Sequence, residues 1–334
     1  MAKNLRPAGG LTSPQSPITM IEPRSSPLHP ALAPWLAGIN QIAAQAAAKG
    51  IEPTPAAARE ALANMTLYFG GQAPEIAAVR DFVLPSLPTV PLRLYDPRPG
   101  QPLPVCVYLH GGGHMAGSIE VYDPIYRRIA AHADCLVVAV EYRLAPEHPY
   151  PQGLDDCIQT IRGLPSWLAS QNLGDGRGLL VAGDSGGGAL TATISALAAH
   201  DRSLAVRGQA LIYPSLDYTL SQPSTVENGA GYLLETARIR WYFDQYFGPH
   251  DDRRAASPLF MTAAGLPPTL LITAGYCPLR DEGYAYAERL AAAGVPCEHV
   301  NLSDMLHTYL NLHTLVPQAC DATYDAMASW IARL

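Results

Sequence analysis

The sequence predicts an α/β protein: a mostly parallel central sheet covered by helices on both faces. Three observations carry this. Short apolar runs of strand length, VCVYL (105–109), LVVAVEY (136–142), LLVAG (179–183), QALIYP (209–214), TLLITA (269–274) and EHVNL (298–302), recur along the chain. Helical patterns separate them, at roughly 121–133, 152–170, 187–200, 282–293 and 317–333. The strand runs are continuously apolar rather than alternating, which is how strands buried on both faces read.

The flanking segments complete the layout. Residues 1–30 are rich in Pro, Ser and Gly and are expected to be loosely ordered at their start. Residues 31–65 are Ala-rich and helical in pattern, broken by EPTP at 52–55, and DFVLP and VPLRLYDP read as two further short strands. Residues 215–265 hold no clear strand but include a helix-like stretch, LLETARIRWYFDQYF. The length, 334 residues, suits one large α/β domain with an accessory part.

Composition narrows the function classes. Hydrophobic residues make up 48% and charged residues 15%, with a net charge of −7 and no basic run, so nucleic acid and anionic membrane surfaces are not expected partners. MAKNLRPAGGLTSPQSP lacks the apolar run of a secretory signal, and no stretch has the 18 or so apolar residues of a membrane helix. The six cysteines (106, 135, 157, 277, 297, 320) are scattered, most of them in apolar segments, with no CxxC pair. They read as reduced core thiols of a cytoplasmic protein, and not as disulfides or zinc ligands.

The chemistry concentrates in two glycine-rich turns. LLVAG runs into GDSGGGALTATISALAAH, so Gly183-Asp184-Ser185-Gly186-Gly187 fits G-x-S-x-G between a strand and a helix. A serine on so tight a turn needs neighbours at ±2 that are nearly free of side chains, and the following helix aims its N-terminus at a developing oxyanion. Ser185 is the expected nucleophile. After VCVYL comes His110-Gly111-Gly112-Gly113-His114. Successive glycines can turn backbone N–H groups into a cavity, and a loop of this type supplies oxyanion donors beside the N–H of the residue after the nucleophile, Gly186. A phosphate loop fits less well, because no Lys-Ser/Thr follows and no G-x-G-x-x-G spacing appears. His110 and His114 are expected to shape the loop through hydrogen bonds.

HGGG, YRLAPEHPYPQGLDD (142–156), GDSGGG, SPLF (257–260), GLPPTLLITAGY (265–276), PLRDEG and MLHTY (305–309) stand in the order and spacing of the bacterial hormone-sensitive-lipase-like esterases, and the chain resembles that family over roughly residues 80–334. The resemblance implies an α/β-hydrolase fold and hydrolysis of small to medium carboxylic esters through an acyl-enzyme, without cofactor or metal. It implies that Gly112, Gly113 and Gly186 supply the oxyanion donors. It also implies a helical cap, so that 1–55 and 215–250 form two cap segments over a core of 56–214 and 251–334. A homodimer is compatible with the resemblance, although the sequence itself does not indicate one.

His307 follows the strand EHVNL, where such a fold places its base in the chain order Ser, acid, His. In the resembled family the histidine sits in a GMxHGF-like run; here the run is DMLHTY, with Asp304 and Thr308 in the glycine places. The acid is the anomaly. The family's run is DPLRDEG and its first Asp is the triad acid, whereas this chain has Cys277 there, followed by an intact PLRDEG. A carboxylate fixes the histidine tautomer and stabilises the imidazolium; a neutral thiol is a weak acceptor without charge. Three explanations fit: another carboxylate, with Asp304 three residues before His307 as surrogate; a histidine working without a strong partner; or a chain that binds and does not turn over. The rival function is accordingly a catalytically impaired hydrolase fold used as a small-molecule binding protein.

Three lesser features have structural readings. Asp155 and Asp156 are expected to open a helix, Glu141, Arg143 and Glu147 to form an ion network, and Asp281 and Glu282 to serve a helix N-terminus. Trp241, Tyr242, Phe243, Tyr246 and Phe247 form an aromatic cluster at helical spacing, of which one or two members are expected to line the substrate pocket.

Overall fold

The structure, a computed structural model, describes residues 24–334. Most of the stretch expected to be loose therefore lies outside the described residues. The elements in chain order are α1 (Leu32–Ala48), α2 (Pro55–Phe69), β1 (Ala78–Leu84), β2 (Leu87–Asp96), β3 (Val105–Leu109), α3 (Ile119–Ala133), β4 (Leu136–Val140), α4 (Gln152–Ser170), β5 (Leu179–Asp184), α5 (Ser185–Ala198) and β6 (Val206–Ile212). There follow α6 (Ser224–Glu227), α7 (Thr236–Tyr246), α8 (Arg253–Ala256), β7 (Thr269–Tyr276), α9 (Arg280–Ala292), β8 (Cys297–Leu306) and α10 (Pro317–Arg333).

The eight strands form one sheet in the order β1-β2-β4-β3-β5-β6-β7-β8. β1–β2 and β2–β4 are antiparallel, and every pairing from β4 across to β8 is parallel. Alternate side chains of the buried strands feed different cores, as a period of two requires. Cys106, Tyr108, Val137, Ala139, Leu180 and Ala182 pack with Ile125 and Ile129 of α3 and Met327 of α10. Val105, Val107, Leu109, Val138 and Val181 pack with Ile161 and Leu164 of α4 and Ile194 of α5. Each fully buried Val or Leu is worth about 1.5–3 kcal/mol relative to exposure, so the sheet is a rigid platform.

The chain reverses its winding between β3 and β5: from β3 it steps to β4 on one side, then returns to β5 on the other. In open α/β sheets the crevice beyond the carboxyl ends of the strands at such a switch is where ligands bind. The glycine loop 110–114 leaves β3 there, and Ser185 leaves β5 there.

Residues 213–268 contain no strand, and α7 occupies the helix-like stretch. Asn40 of α1 donates to Gly231 O at 2.9 Å, tying the N-terminal helices to this segment. Among the described residues, no helix is long and apolar enough to cross a membrane.

Candidate active site

Ser185 sits at the junction of β5 and α5 with φ of +52°, in the left-handed region that costs a non-glycine residue about 1–2 kcal/mol. The turn is this tight because α5 lies against β3: a Cβ on Gly187 would stand 1.9 Å from Leu109 O. Only glycine fits there, which is the physical content of the last position of the motif.

Ser185 Oγ lies 2.9 Å from His307 Nε2. His307 follows β8 directly, and the Tyr213 ring, 4.8 Å from the imidazole, packs against it. On the far side, His307 Nδ1 lies 3.0 Å from Cys277 Sγ. The sulfur also accepts the Leu279 N–H at 3.3 Å. Cys277, Pro278 and Leu279 lead into α9, so the thiol occupies a slot at a helix N-terminus, where backbone donors favour an anion. All three side chains are buried. Burial pushes the Cys277 thiol well up, against the smaller pull of the Leu279 N–H, and burial holds His307 down at about 3. The pair is thus a neutral thiol beside a neutral imidazole.

The second bend meets the first. A Cβ on Gly186 would stand 3.1 Å from His114 N and 3.3 Å from Gly113 N, so the two donor-bearing turns are in van der Waals contact. Gly112 and Gly113 have φ of +114° and +63°, and the Ala116 N–H closes the loop onto Gly112 O at 2.9 Å. Asp184, the residue before Ser185, locks the loop in place. Its Oδ1 accepts the Gly111 N–H at 2.8 Å and the Tyr108 hydroxyl at 3.1 Å, and its Oδ2 accepts the Tyr122 hydroxyl at 3.1 Å. Burial raises this carboxyl to about 6, opposed by those three donors.

A family model described as alpha/beta hydrolase fold matches residues 106–311. Carboxylesterase NlhH of Mycobacterium tuberculosis is 38% identical over 257 residues, 73% of this chain and 78% of that protein. Ethyl acetate hydrolase of Pseudomonas putida is 34% identical over 274 residues, 78% and 85% of the two chains. The chain belongs to the hormone-sensitive-lipase-like α/β hydrolases. Among solved structures, ester-hydrolase EH1AB1 from the metagenome of Lake Arreo superposes with a TM-score of 0.82 at 34% identity, covering 92% of this chain and 99% of that one. The hyperthermophilic esterase of the archaeon Pyrobaculum calidifontis superposes with 0.79 at 33% identity, over 92% and 99%.

Within this hydrolase the structure brings Ser185, His307 and Cys277 into one hydrogen-bonded line and sets Gly113 and Gly186 beside it. It does not bring Asp304 there. Asp304 lies in β8, its carbonyl accepts the His29 N–H at 3.1 Å, and the partner of His307 Nδ1 is the Cys277 sulfur. The expected surrogate acid therefore makes no described hydrogen bond to His307, and the place beside Nδ1 is filled by the sulfur.

The hydrolase's two loop histidines do shape the loop. His110 Nδ1 bonds Gly111 O at 2.8 Å, and His114 Nε2 pairs with the Tyr218 hydroxyl at 3.1 Å while its ring stacks on Tyr246 at 4.0 Å. Burial lowers the two to about 4 and 3. The expected network of Glu141, Arg143 and Glu147 is instead three separate contacts. Arg143 pairs with Asp156, Glu147 with Arg59, and Glu141 accepts the Ile119 N–H. Glu282 is not a cap: its Oε2 takes the N–H groups of Leu216 and Asp217 at 2.6 and 2.9 Å, anchoring the start of the 215–250 segment.

Sequence reasoning missed Asp184, which appears there only as the unspecified second position of G-x-S-x-G. The available signal was a carboxylate at the end of a strand buried on both faces, which must find donors. Asp184→Asn replaces one acceptor oxygen with a donor facing N–H and O–H groups. It is expected to lower kcat about 10–100-fold with little change in KM, because the glycine loop loses its tether; steady-state ester hydrolysis measures this.

Proposed function

We propose that this hydrolase is a serine carboxylesterase acting on small to medium carboxylic esters. Ser185 Oγ attacks the ester carbonyl carbon while its proton passes to His307 Nε2. The backbone N–H groups of Gly112, Gly113 and Gly186 receive the oxyanion. The C–O bond to the alcohol then breaks, and the leaving oxygen takes the proton back from Nε2. Water, deprotonated by the same nitrogen, hydrolyses the acyl-enzyme and regenerates Ser185. The observation that carries this reading is the 2.9 Å contact between Ser185 Oγ and His307 Nε2 at the sheet's switch point, beside two meeting glycine bends. The ester-hydrolase names of the relatives support it, and favour an enzyme over a binding protein.

Cys277 is the Nδ1 partner in this scheme. The productive tautomer has Nδ1–H donating to the sulfur and Nε2 free to accept from serine. The sulfur offers lone pairs but no charge, so the imidazolium formed on attack has no ionic counterpart and turnover is slow. Of the cap segment 1–55, the described residues 24–55 act with 215–250 as the cap over the crevice, supported by the tie from Asn40 to Gly231 and by α7 lying against the glycine loop. The six free cysteines suit a cytoplasmic setting.

A fluorophosphonate probe tests the reading. The expected result is a stable adduct mapped by peptide mass to Ser185, together with measurable turnover of p-nitrophenyl acetate. No adduct and no turnover over hours at millimolar ester would sink it.

A further inference from the structure

The turn that carries Cys277 is held from two directions. One grip is local: Arg280 donates Nη1–H to Gly275 O at 3.2 Å, and its backbone N–H donates to Cys277 O at 3.1 Å. The other comes from the 215–250 segment. Asn228, buried at the end of α6, donates from Nδ2 to Gly275 O and to Cys277 O, each at 3.1 Å. An amide NH₂ has two protons, one for each carbonyl. Ser224, at the start of α6, donates to Pro278 O at 2.7 Å and accepts the Asp281 N–H at 3.0 Å. Glu227 of α6 pairs with Arg280 at 2.6 Å.

Asn228 spans the one place where a small slip would matter. The β7–β8 register shifts between Ala274 and Tyr276, so the regular ladder does not by itself set residue 277. The carbonyls that Asn228 takes stand before and after that residue's N–H, and holding both fixes where its Cα–Cβ bond points. Sγ is one bond further on, 3.0 Å from His307 Nδ1. Asn228 makes no described bond to Ser185 or His307, so it acts on them through residue 277. The same segment also bears on the glycine loop. Thr236 of α7 is tied to α6 through its N–H to Gly229 O at 2.9 Å and its hydroxyl to Thr225 O at 2.6 Å. Further along α7, the Tyr242 ring lies where a Cβ on Gly113 would stand 2.9 Å from its Cγ.

We infer that Asn228 is a positioning residue for the reaction, holding position 277 against His307 Nδ1 from the 215–250 segment. The inference rests on the esterase reading above and adds to it the residue that aligns the third member of the line. A misplacement of about 1 Å can cost ~10²-fold, and the cost is bounded by what the displaced group contributes.

The test places Asn228→Ala in three full-length chains: the unsubstituted one, Cys277→Asp and Cys277→Ala. In Cys277→Asp the aligned group is a carboxylate worth up to ~10⁴, so kcat for p-nitrophenyl acetate is expected to fall ~100-fold with KM within about two-fold. In Cys277→Ala no side-chain partner remains to align, and kcat is expected to change by less than about two-fold. The unsubstituted chain is expected between these limits. The thermal transition should fall by the same amount in all three. Equal kcat losses in the Cys277→Asp and Cys277→Ala backgrounds overturn the inference, because an asparagine that only supports the fold does not sense residue 277. So does an unchanged kcat in Cys277→Asp, or a loss expressed in KM alone. Arg280 still serves both carbonyls, so the alanine variant is expected to fold. If its thermal transition shows that it does not, Asn228→Ser, which keeps one donor, is read in the same way. Failure of the esterase reading looks different: no chain turns over the ester, with Asn228 present or replaced, and the fluorophosphonate leaves Ser185 unlabelled, and both conclusions then fall together.

Discussion

Replacing Cys277 by aspartate is expected to raise kcat for a p-nitrophenyl ester by about 10³–10⁴-fold. Loss of the triad carboxylate costs ~10⁴ in a serine protease, and the present slot is a site where that loss can be undone. The slot already faces the imidazole: Sγ is 3.0 Å from Nδ1. It already holds a backbone donor, the Leu279 N–H, and it lies at the start of α9, so the positive end of a helix stands ready for a charge. A carboxylate there would accept Nδ1–H, select the tautomer with Nε2 free, and sit against the imidazolium. The pH dependence gives an independent check. Burial without a charged partner holds His307 at about 3, so in the unsubstituted chain it stays a neutral base across the usual range. An adjacent carboxylate favours the imidazolium and raises that value. The ratio of kcat/KM between Cys277→Asp and the unsubstituted chain should then increase with pH, through the raised imidazole value, before levelling. The Asp184 carboxyl titrates in both proteins and cancels in this ratio. A ratio near one at every pH would show that the sulfur serves as well as a carboxylate. Asp304→Ala serves as the control: within about two-fold of the unsubstituted rate, it excludes a contribution from that carboxylate.

The cost of removing the Ser185 hydroxyl, the proposed nucleophile, should depend on what occupies position 277. Members of a catalytic triad act as a unit. In subtilisin, losing the serine costs ~2 × 10⁶ in kcat and losing the aspartate alone ~3 × 10⁴, because binding and the oxyanion hole still supply the remainder. A chain that already lacks the carboxylate stands most of the way down that scale. Ser185→Ala is therefore expected to cost only about 10² in the native background, the quotient of those two losses. In the Cys277→Asp background the same substitution should cost ~10⁶. Four kcat values, measured on one ester, give the result. Equal losses in the two backgrounds would mean that His307 and Ser185 work independently of residue 277, against the hydrogen-bonded line running through the three.

The legible parts of this molecule are those whose causes are local. The apolar runs 105–109 and 179–183 announce buried strands, because a strand covered on both faces has no polar alternation to hide it, and β3 and β5 stand there. The β8 run extends further than 298–302, to Leu306, because pairing with β7 continues through a register shift near Gly275, and patterning carries no sign of such a shift. The Ser185 turn is legible because its glycines stand within two residues of the serine, although what Gly187 makes room for, Leu109 O, is distant in the chain. Asp184 is not, and Tyr242 is legible only as one of five clustered aromatics, because what they touch is distant in the chain: Gly111 stands 73 residues before Asp184, and Gly113 precedes α7 by more than a hundred. Asp304 shows the converse. Closeness in sequence to His307 suggested a partner, but the sulfur 30 residues earlier, just past the end of β7, is what lies against Nδ1.

Five of the six free thiols, Cys277 among them, are buried, and Cys297 is partly so. A maleimide added to the folded chain can therefore reach position 277 only when α9 or its neighbours transiently part from the sheet. The rate of alkylation at that one sulfur becomes a clock for how often the reactive crevice breathes. A bound ester analogue should slow the clock, and the slowing would read occupancy without any chemistry having to take place.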